Sequence, residues 1–266
     1  MRIMTFNIRF ENDVDGDNAW CYRRDLVVGV VGRIRPWILG TQEGTRRQLA
    51  YLQDRLPEYG MYAGDRPDDE TCQYPTLFYR RDRLRLLEGG EFWLSLTPLV
   101  HRSKDWDSAF PRMMSYGLFE DVREKRRMWA VVTHLDHIGE RARVEQAGMI
   151  ARWIKGLQPT CPVVLMGDFN DMPGSGAHRS LTDREGGLLD TWQVLEMAED
   201  QSSMTHHDFR GVPGKCRMDW VLVSEDFVVR DVRIIRDHFG GRYPSDHFPY
   251  AVDLDWAHAV VGDDAH

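Results

Sequence analysis

Long apolar runs are missing from this 266-residue chain: none approaches the ~20 residues that a membrane-spanning helix needs. Cysteine is scarce. Cys21, Cys72, Cys161 and Cys216 are scattered without CxxC or Cys/His ligand spacing, so no structural zinc is expected. GxGxxG, a Walker-type glycine loop and a GxSxG elbow are also absent, which removes the commonest nucleotide-cofactor and serine-hydrolase readings. Positive charge is in deficit, with 34 Lys and Arg against 42 Asp and Glu, a net charge of −8. Proteins that grip long nucleic acid usually carry a basic face, so a nonspecific nuclease is disfavoured. The basic run Arg123, Lys125, Arg126 and Arg127 reads as a solvated loop in preference to a nucleic-acid patch.

What is present is a globular balance, with 42% hydrophobic and 29% charged residues, enough apolar surface to offset the entropy of ordering the chain. No linker or repeat divides the chain, which predicts a single domain over 1–256 and a disordered tail over 257–266. With no signal-like segment before TFNIRF, a reduced, cytoplasmic protein is expected.

Helices are predicted over Arg23 to Arg35, after Thr45, over Glu140 to Leu157, near His178 to Leu181 and at Leu189 to Met197. Strands are predicted at Arg2 to Ile8, Trp37 to Gln42, Thr76 to Tyr79, Leu84 to Leu87, Tyr116 to Asp121 and Met128 to His134, then at Pro162 to Met166, Met218 to Val223, Val228 to Ile235 and Tyr250 to Leu254. The aperiodic stretch Trp93 to Met114 reads as a long ordered loop, which by its length is a candidate functional element.

Polar residues close these apolar runs in a repeated pattern. Asn7 lies in TFNIRF, Glu43 in TQEG, and His134 with Asp136 in THLDH. Asp168 and Asn170 lie in GDFN, Asp219 in RMDW, and Asp246 with His247 in YPSDH. Mg²⁺ or Mn²⁺ takes few protein oxygens and leaves room for water and phosphate. Glu43 is the first-choice ligand and Asp246 the second, directly or through water; Asn7 offers a neutral amide to a cation or a phosphate oxygen. The alternatives are that Glu43 caps the following helix and that Asn7 holds a turn. If the backbone stays extended, Asp168 and Asn170 share one face, an anionic base beside a phosphate-binding amide, with Phe169 in the core. The same spacing pairs His134, a cationic or hydrogen-bonding phosphate contact, with Asp136, a metal or substrate contact or only a structural partner. Asp219 bonded to His247 would fix the ring tautomer and make His247 a general base or proton donor. His101, His137, His178, His206, His207 and His238 lack this framing and are expected on the surface or in loops.

In this order, the six words resemble those of the endonuclease/exonuclease/phosphatase superfamily, over Met1 to about Leu254. The resemblance implies an α/β fold: a four-layer sandwich of two mixed β-sheets packed face to face and flanked by helices, with the site at one end. It further implies hydrolysis of a phosphate ester by in-line attack of a metal-activated water. Glu43 resembles the metal ligand; Asn7, His134 and Asn170 resemble phosphate contacts. Asp168 resembles the water-orienting carboxylate, and Asp219, Asp246 and His247 the closing carboxylate and imidazole group. Whether Asp168 or His247 is the base stays open. FWLS and KDWDSAFPR resemble a bacterial branch of compact members. Within them Arg112 is either a substrate contact or a structural partner of an acidic neighbour, and Trp93 and Trp106 either stack on a ligand or pack locally.

These features predict a phosphodiesterase or phosphatase acting on a small or short phosphorylated substrate, with no membrane and no obligate protein partner. A repair or RNA-processing nuclease is the enzymatic alternative. A non-catalytic binding module is poorer, because every expected polar position is filled.

Overall fold

A computed structural model of the protein describes residues 1–157, 161–183 and 187–257. The expected tail thus lies, beyond Ala257, outside the described residues. In chain order the first half contains β1 (Arg2–Asn7), α1 (Trp20–Ile34), β2 (Ile38–Gly44), α2 (Arg46–Arg55), β3 (Tyr59–Tyr62), β4 (Tyr74–Arg80) and β5 (Leu84–Trp93). The second half contains β6 (Met113–Asp121), β7 (Arg127–His134), α3 (Glu140–Gly156), β8 (Val163–Asp168), α4 (Gly176–Thr182) and β9 (Leu189–Asp190). It closes with α5 (Thr191–Val194), β10 (Asp219–Val223), β11 (Phe227–Ile234) and β12 (Tyr250–Trp256).

Two six-stranded sheets result, ordered β11-β12-β1-β2-β4-β3 and β5-β6-β7-β8-β10-β9. Each is mixed around one parallel pair, β1 with β2 and β7 with β8, and the crossovers between those partners contain α1 and α3. The sheets face each other, β1 over β8 and β2 over β7. This is the four-layer α/β sandwich that the resemblance implies.

Strand periodicity explains both the core and the site. Side chains alternate between faces, so Ile3, Ala130, Val132, Val164, Met166, Val221 and Val223 fill the space between the sheets. Met4 and Phe6 instead meet Val27, Val30 and Val31 of α1, while Val131, Leu165 and Leu222 meet Ala147, Ile150 and Ala151 of α3. Two residues beyond the inward series at each strand end stand Asn7, His134 and Asp168, and two before Val221 stands Asp219. The parity that buries aliphatic side chains along the sandwich therefore gathers polar ones at its end.

Some boundaries differ from the sequence reading for identifiable reasons. β5 runs on through Gly89 and Gly90 because both pair with β6; a side chain at Gly90 would collide with the Tyr116 ring. β3 had no signal beyond four residues, one of them Gly60, which lies under Tyr79. The helix expected over Leu189 to Met197 is a two-residue strand and one helical turn, since Asp190 caps that turn and also binds Arg217 and His178. Thr45 and Gln48 form a reciprocal cap on α2, which leaves Glu43 free of that duty. Among the described residues no helix is long and apolar enough to cross a membrane.

β7 and β8 approach most closely beside the site. A Cβ on Gly167 would stand 2.3 Å from the Thr133 carbonyl oxygen. Replacing Gly167 by Ala should therefore force the parallel pair apart at His134 and Asp168 and destabilise the fold by about 1–3 kcal/mol. Urea unfolding checks this, and an unchanged midpoint would contradict it.

Candidate active site

Asn7 joins the two sheets at the centre of the site. Its amide nitrogen donates to Glu43 Oε1 at 3.0 Å and to Asp168 Oδ2 at 2.9 Å, while its oxygen accepts from the Arg9 backbone N–H at 3.0 Å. It therefore holds a turn and bridges two carboxylates at once. Glu43 has a left-handed backbone, φ 65°, and its second oxygen accepts from the Phe10 N–H at 3.0 Å. An unfavourable conformation for a non-glycine residue is thus held by contacts that aim its carboxylate inward.

Asp168 and Asn170 do meet on one face, but not through an extended backbone. β8 ends at Asp168 and Asn170 is left-handed, φ 51°, with its N–H donated to Asp168 Oδ1 at 2.9 Å. Phe169 between them is buried and stacks on Trp220 at 4.4 Å. The Asn170 amide reaches the Leu135 carbonyl and His134 Nε2, at 3.1 and 3.0 Å. Arg112 lies on the other side of that ring, with Nη1 3.0 Å from His134 Nδ1. Burial first, then the Arg112 charge, pushes the His134 pKa well below its ordinary value, so the cationic option for His134 is corrected to a neutral ring. Arg112 and the Asn170 amide nitrogen are both donors to a ring that has one acceptor when neutral; with Arg112 on Nδ1 the ring proton lies on Nε2, 3.5 Å from Asp168, and faces the Asn170 amide without accepting from it.

Asp219 and His247 form the expected pair, Oδ2 to Nδ1 at 2.8 Å, and His247 Nε2 points toward Asp168 Oδ2 at 3.7 Å. Burial opposes a charge on His247, but Asp219 and Asp168 outweigh it and raise its pKa to about 10. Burial, followed by repulsion from Asp219, lifts Asp168 to about 7. Asp246 sits one residue away, bonded to the Ser245 hydroxyl at 3.1 Å and 3.9 Å from the Arg9 guanidinium. Burial disfavours its charge too, yet His247, Arg9, His206 and Arg23 together hold its pKa below the usual carboxylate range.

Asp136 does not join this group. It is fully buried, with Oδ2 accepting from Ser108 Oγ and the Ala109 and Phe110 N–H groups and Oδ1 from the Ile138 and Gly139 N–H groups, all between 2.7 and 3.1 Å. Its expected substrate contact is corrected to a structural one: no lone pair is left to face a ligand. Arg112 Nε lies 3.7 Å from Asp136, so Arg112 is both a partner of an acidic neighbour and a wall of the site. Trp93 is buried with His101 at its edge, which is local packing.

Several neighbours had no legible signal. Arg23, fully buried on α1, donates to the carbonyls of Asn18, Ile8, Arg9 and Pro244, tying the loop after Asn7 to the segment before Asp246. Ser245 Oγ donates to the Asn7 carbonyl at 2.6 Å. The His206 ring lies 4.9 Å from that of His247, and His137 Nδ1 is 3.2 Å from Arg112. His178 and His207 are buried, not on the surface: His178 bonds Asp190 and His207 stacks on Phe248. The basic run sits at the turn before β7, roughly 23 Å of strand from His134 at ~3.3 Å per residue.

The residues suit a hard cation. Two sets of candidate ligand atoms lie within 4.8 Å of one another, His206–Asp246–His247 and Asp168–Asp219–His247. Asp219 Oδ1 is buried with no hydrogen-bond partner among the described residues. His247 Nδ1 is already committed to Asp219, so the donors left are mainly carboxylate oxygens, with Glu43 joined to Asp168 through Asn7.

The sequence model of the Endonuclease/Exonuclease/phosphatase family matches residues 4–247. A family protein of Bacteroides vulgatus has a similar structure, with TM-score 0.87 and 32% identity over 96% of this chain and 98% of that one. A mannosyl-6-phosphatase of Bacteroides thetaiotaomicron superposes with TM-score 0.87 and 29% identity, covering 96% of this chain and 100% of that one. A curated relative, the inositol phosphosphingolipids phospholipase C of Saccharomyces cerevisiae, is 29% identical over 119 residues, which is 35% of this chain and 24% of that protein. The match thus spans about a quarter of that relative's length.

The Asp136 geometry makes a separate prediction. Burial opposes its charge, but the N–H groups of Gly139, Phe110, Ile138 and Ala109 prevail and lower its pKa to about 2. A carboxylate depressed in the folded state stabilises above its unfolded pKa and loses that contribution as pH falls through the folded value. Asp136→Asn should cost about 1.5–3 kcal/mol at neutral pH, with the deficit shrinking toward pH 2. Denaturant melts at pH 7 and pH 3 check the sign; a deficit that grows with acid would contradict it.

Proposed function

We propose that this chain, which belongs to the Endonuclease/Exonuclease/phosphatase family and is a phosphoric ester hydrolase, hydrolyses the phosphate monoester of a small polar molecule with the aid of Mg²⁺ or Mn²⁺. One observation carries the reading: the Asp219–His247–Asp168 line ends beside the Arg112, His134 and Asn170 donors. That puts an acid–base pair next to a cluster suited to phosphoryl oxygens. Likeness to a mannosyl-6-phosphatase along the whole chain supports a compact, polar leaving group.

Each group then has a task. Glu43, with Asp246, would hold the cation, which would supply Lewis-acid polarisation of the phosphate and favour the ionised form of a nearby water, and the Asn7 amide, donating to Glu43 and Asp168, would keep the Glu43 carboxylate in place. Arg112 Nη, the His134 Nε2–H and the Asn170 amide would hydrogen-bond the phosphoryl oxygens and strengthen as charge develops on them. Asp168, its oxygens fixed by Asn7 and the Asn170 N–H, is the group we assign to orient and deprotonate the attacking water. His247, kept cationic by Asp219, supplies positive charge and a proton beside it. The water oxygen bonds to phosphorus as the ester P–O bond breaks, and the leaving alkoxide ends protonated as the alcohol. Neutral His134 suits this work, since a neutral Nε2–H donates without competing with the cation for carboxylates.

The phospholipase C likeness favours a diester instead, and a nuclease would need a basic approach surface that the remote basic run does not supply. Steady-state hydrolysis separates these readings. Mannose 6-phosphate and an aryl phosphate should turn over only with Mg²⁺ or Mn²⁺, a bis-aryl phosphodiester and short DNA far more slowly. Asp168→Ala and His247→Ala should each lower kcat by about 10²–10⁴ while circular dichroism shows both variants folded. Metal-independent rates, a diester preference or full activity in either variant would contradict the proposal.

A further inference from the structure

The phosphate-binding end of the site opens into a narrow cleft of about 70 Å³, walled on one side by Arg112 and His134. Its other walls include Thr71 and Gln73 from the loop before β4, and Arg102 and Phe110 from the long loop between β5 and β6. None of Glu43, Asp168, Asp219 or Asp246 lines it. The proposed hydrolysis does not use this space, but a leaving group attached to a phosphate held at Arg112 and His134 must occupy some such volume. The cleft is small and open to solvent on one side, with room for the edge of one small ring and none for duplex nucleic acid.

We propose that this cleft is the leaving-group subsite and that it takes a neutral, polyhydroxylated alcohol, a sugar, with Phe110 as its stacking face and Gln73 and Arg102 as hydroxyl partners. The inference rests on the phosphatase reading and adds where the alcohol sits and what recognises it.

Charge argues for neutrality. The Arg102 guanidinium is already bonded to Asp69 Oδ2 at 2.9 Å and to Thr71 Oγ1 at 2.7 Å, and the same Asp69 oxygen lies 3.1 Å from the His101 ring. A cation neutralised in this way does not call for a second phosphate. Arg102, which lines the cleft, uses only its Nη1 in these bonds and keeps further N–H donors that suit a sugar hydroxyl. Gln73 is half-buried and its amide makes no side-chain hydrogen bond among the described residues, leaving a donor and an acceptor free.

Phe110 supplies the apolar half. Its residue is 53% exposed and its ring lines the cleft, so an apolar face is available beside Arg112. Its backbone is nonetheless fixed: the Phe110 and Ala109 N–H groups both donate to the buried Asp136. On its flank the ring meets His137 at 5.5 Å, and His137 bonds Arg112. An exposed aromatic face on a pinned loop, beside a phosphate-binding arginine, is preorganised to stack on the C–H face of a sugar ring.

Isothermal titration in the slow His247→Ala background, loaded with Mg²⁺, tests this with mannose 6-phosphate, glucose 1-phosphate and inorganic phosphate as probes. At least one sugar phosphate should bind tenfold or more tightly than phosphate. Phe110→Ala and Gln73→Ala should each remove most of that advantage and leave phosphate affinity unchanged. Phosphate binding with no sugar advantage, or an advantage that survives both substitutions, overturns the subsite while the phosphatase reading stands. No binding of any probe, together with no hydrolysis of any monoester by the parent enzyme, overturns both.

Discussion

Bringing several carboxylates to one end of a sandwich is the constraint to which the rest of the site responds. Asp168 and Asp219 have oxygens within 4.8 Å of each other, and both are buried. Two like charges at that separation repel by roughly 3–4 kcal/mol at an effective dielectric of ~20. The fold accommodates them with the Asn7 amide, which donates to Glu43 and Asp168 together, and with an imidazolium at His247 between Asp219 and Asp168. Both devices cross between the sheets, so the electrostatics of the site and the packing of the sandwich are one problem. A divalent cation would relieve the remaining repulsion, which is the physical sense in which the folded chain is prepared for metal.

A second layer of residues fixes this geometry without touching the reacting atoms. Arg23 takes four carbonyls from segments on either side of the site, and Ser245 ties the Asn7 carbonyl to the segment that carries Asp246 and His247. Asp136 does the same for the long loop, holding Ala109 and Phe110 while Arg112 packs against His134. The candidate site is thus built on strand ends, and the neighbouring loops are anchored to it by buried charges.

Much of this was legible because strands carry a period of two. The residues closing TFNIRF, THLDH, GDFN and RMDW fall on the parity of the aliphatic series that precedes or follows them, and Asn7, His134, Asp168 and Asp219 meet for that reason. Parity fails where the strand ends. Asn170 keeps its place through a left-handed turn, and Asp136, at the same spacing from His134, turns away into loop backbone. Edge strands such as β3 carry too few residues for a pattern, and Gly89 and Gly90 mimic a loop although both are paired. Arg23, Arg9 and His206 acquire their positions through tertiary contacts between distant segments, so no local spacing announces them. Substrate choice is less legible still, because it depends on how the loops around Gln73, Arg102 and Phe110 fold over the site.

On the proposed reading Glu43, aimed inward by a left-handed backbone and by the Asn7 and Phe10 donors, would anchor a divalent cation. Calorimetric titration of Mn²⁺ into the parent protein and into Glu43→Gln measures this without any substrate. The account predicts saturable binding in the parent and at least a tenfold weaker affinity in the variant, because a hard cation loses its anionic oxygen while the side-chain shape is kept. Equal affinity in the two proteins, or no binding in the parent, would contradict it.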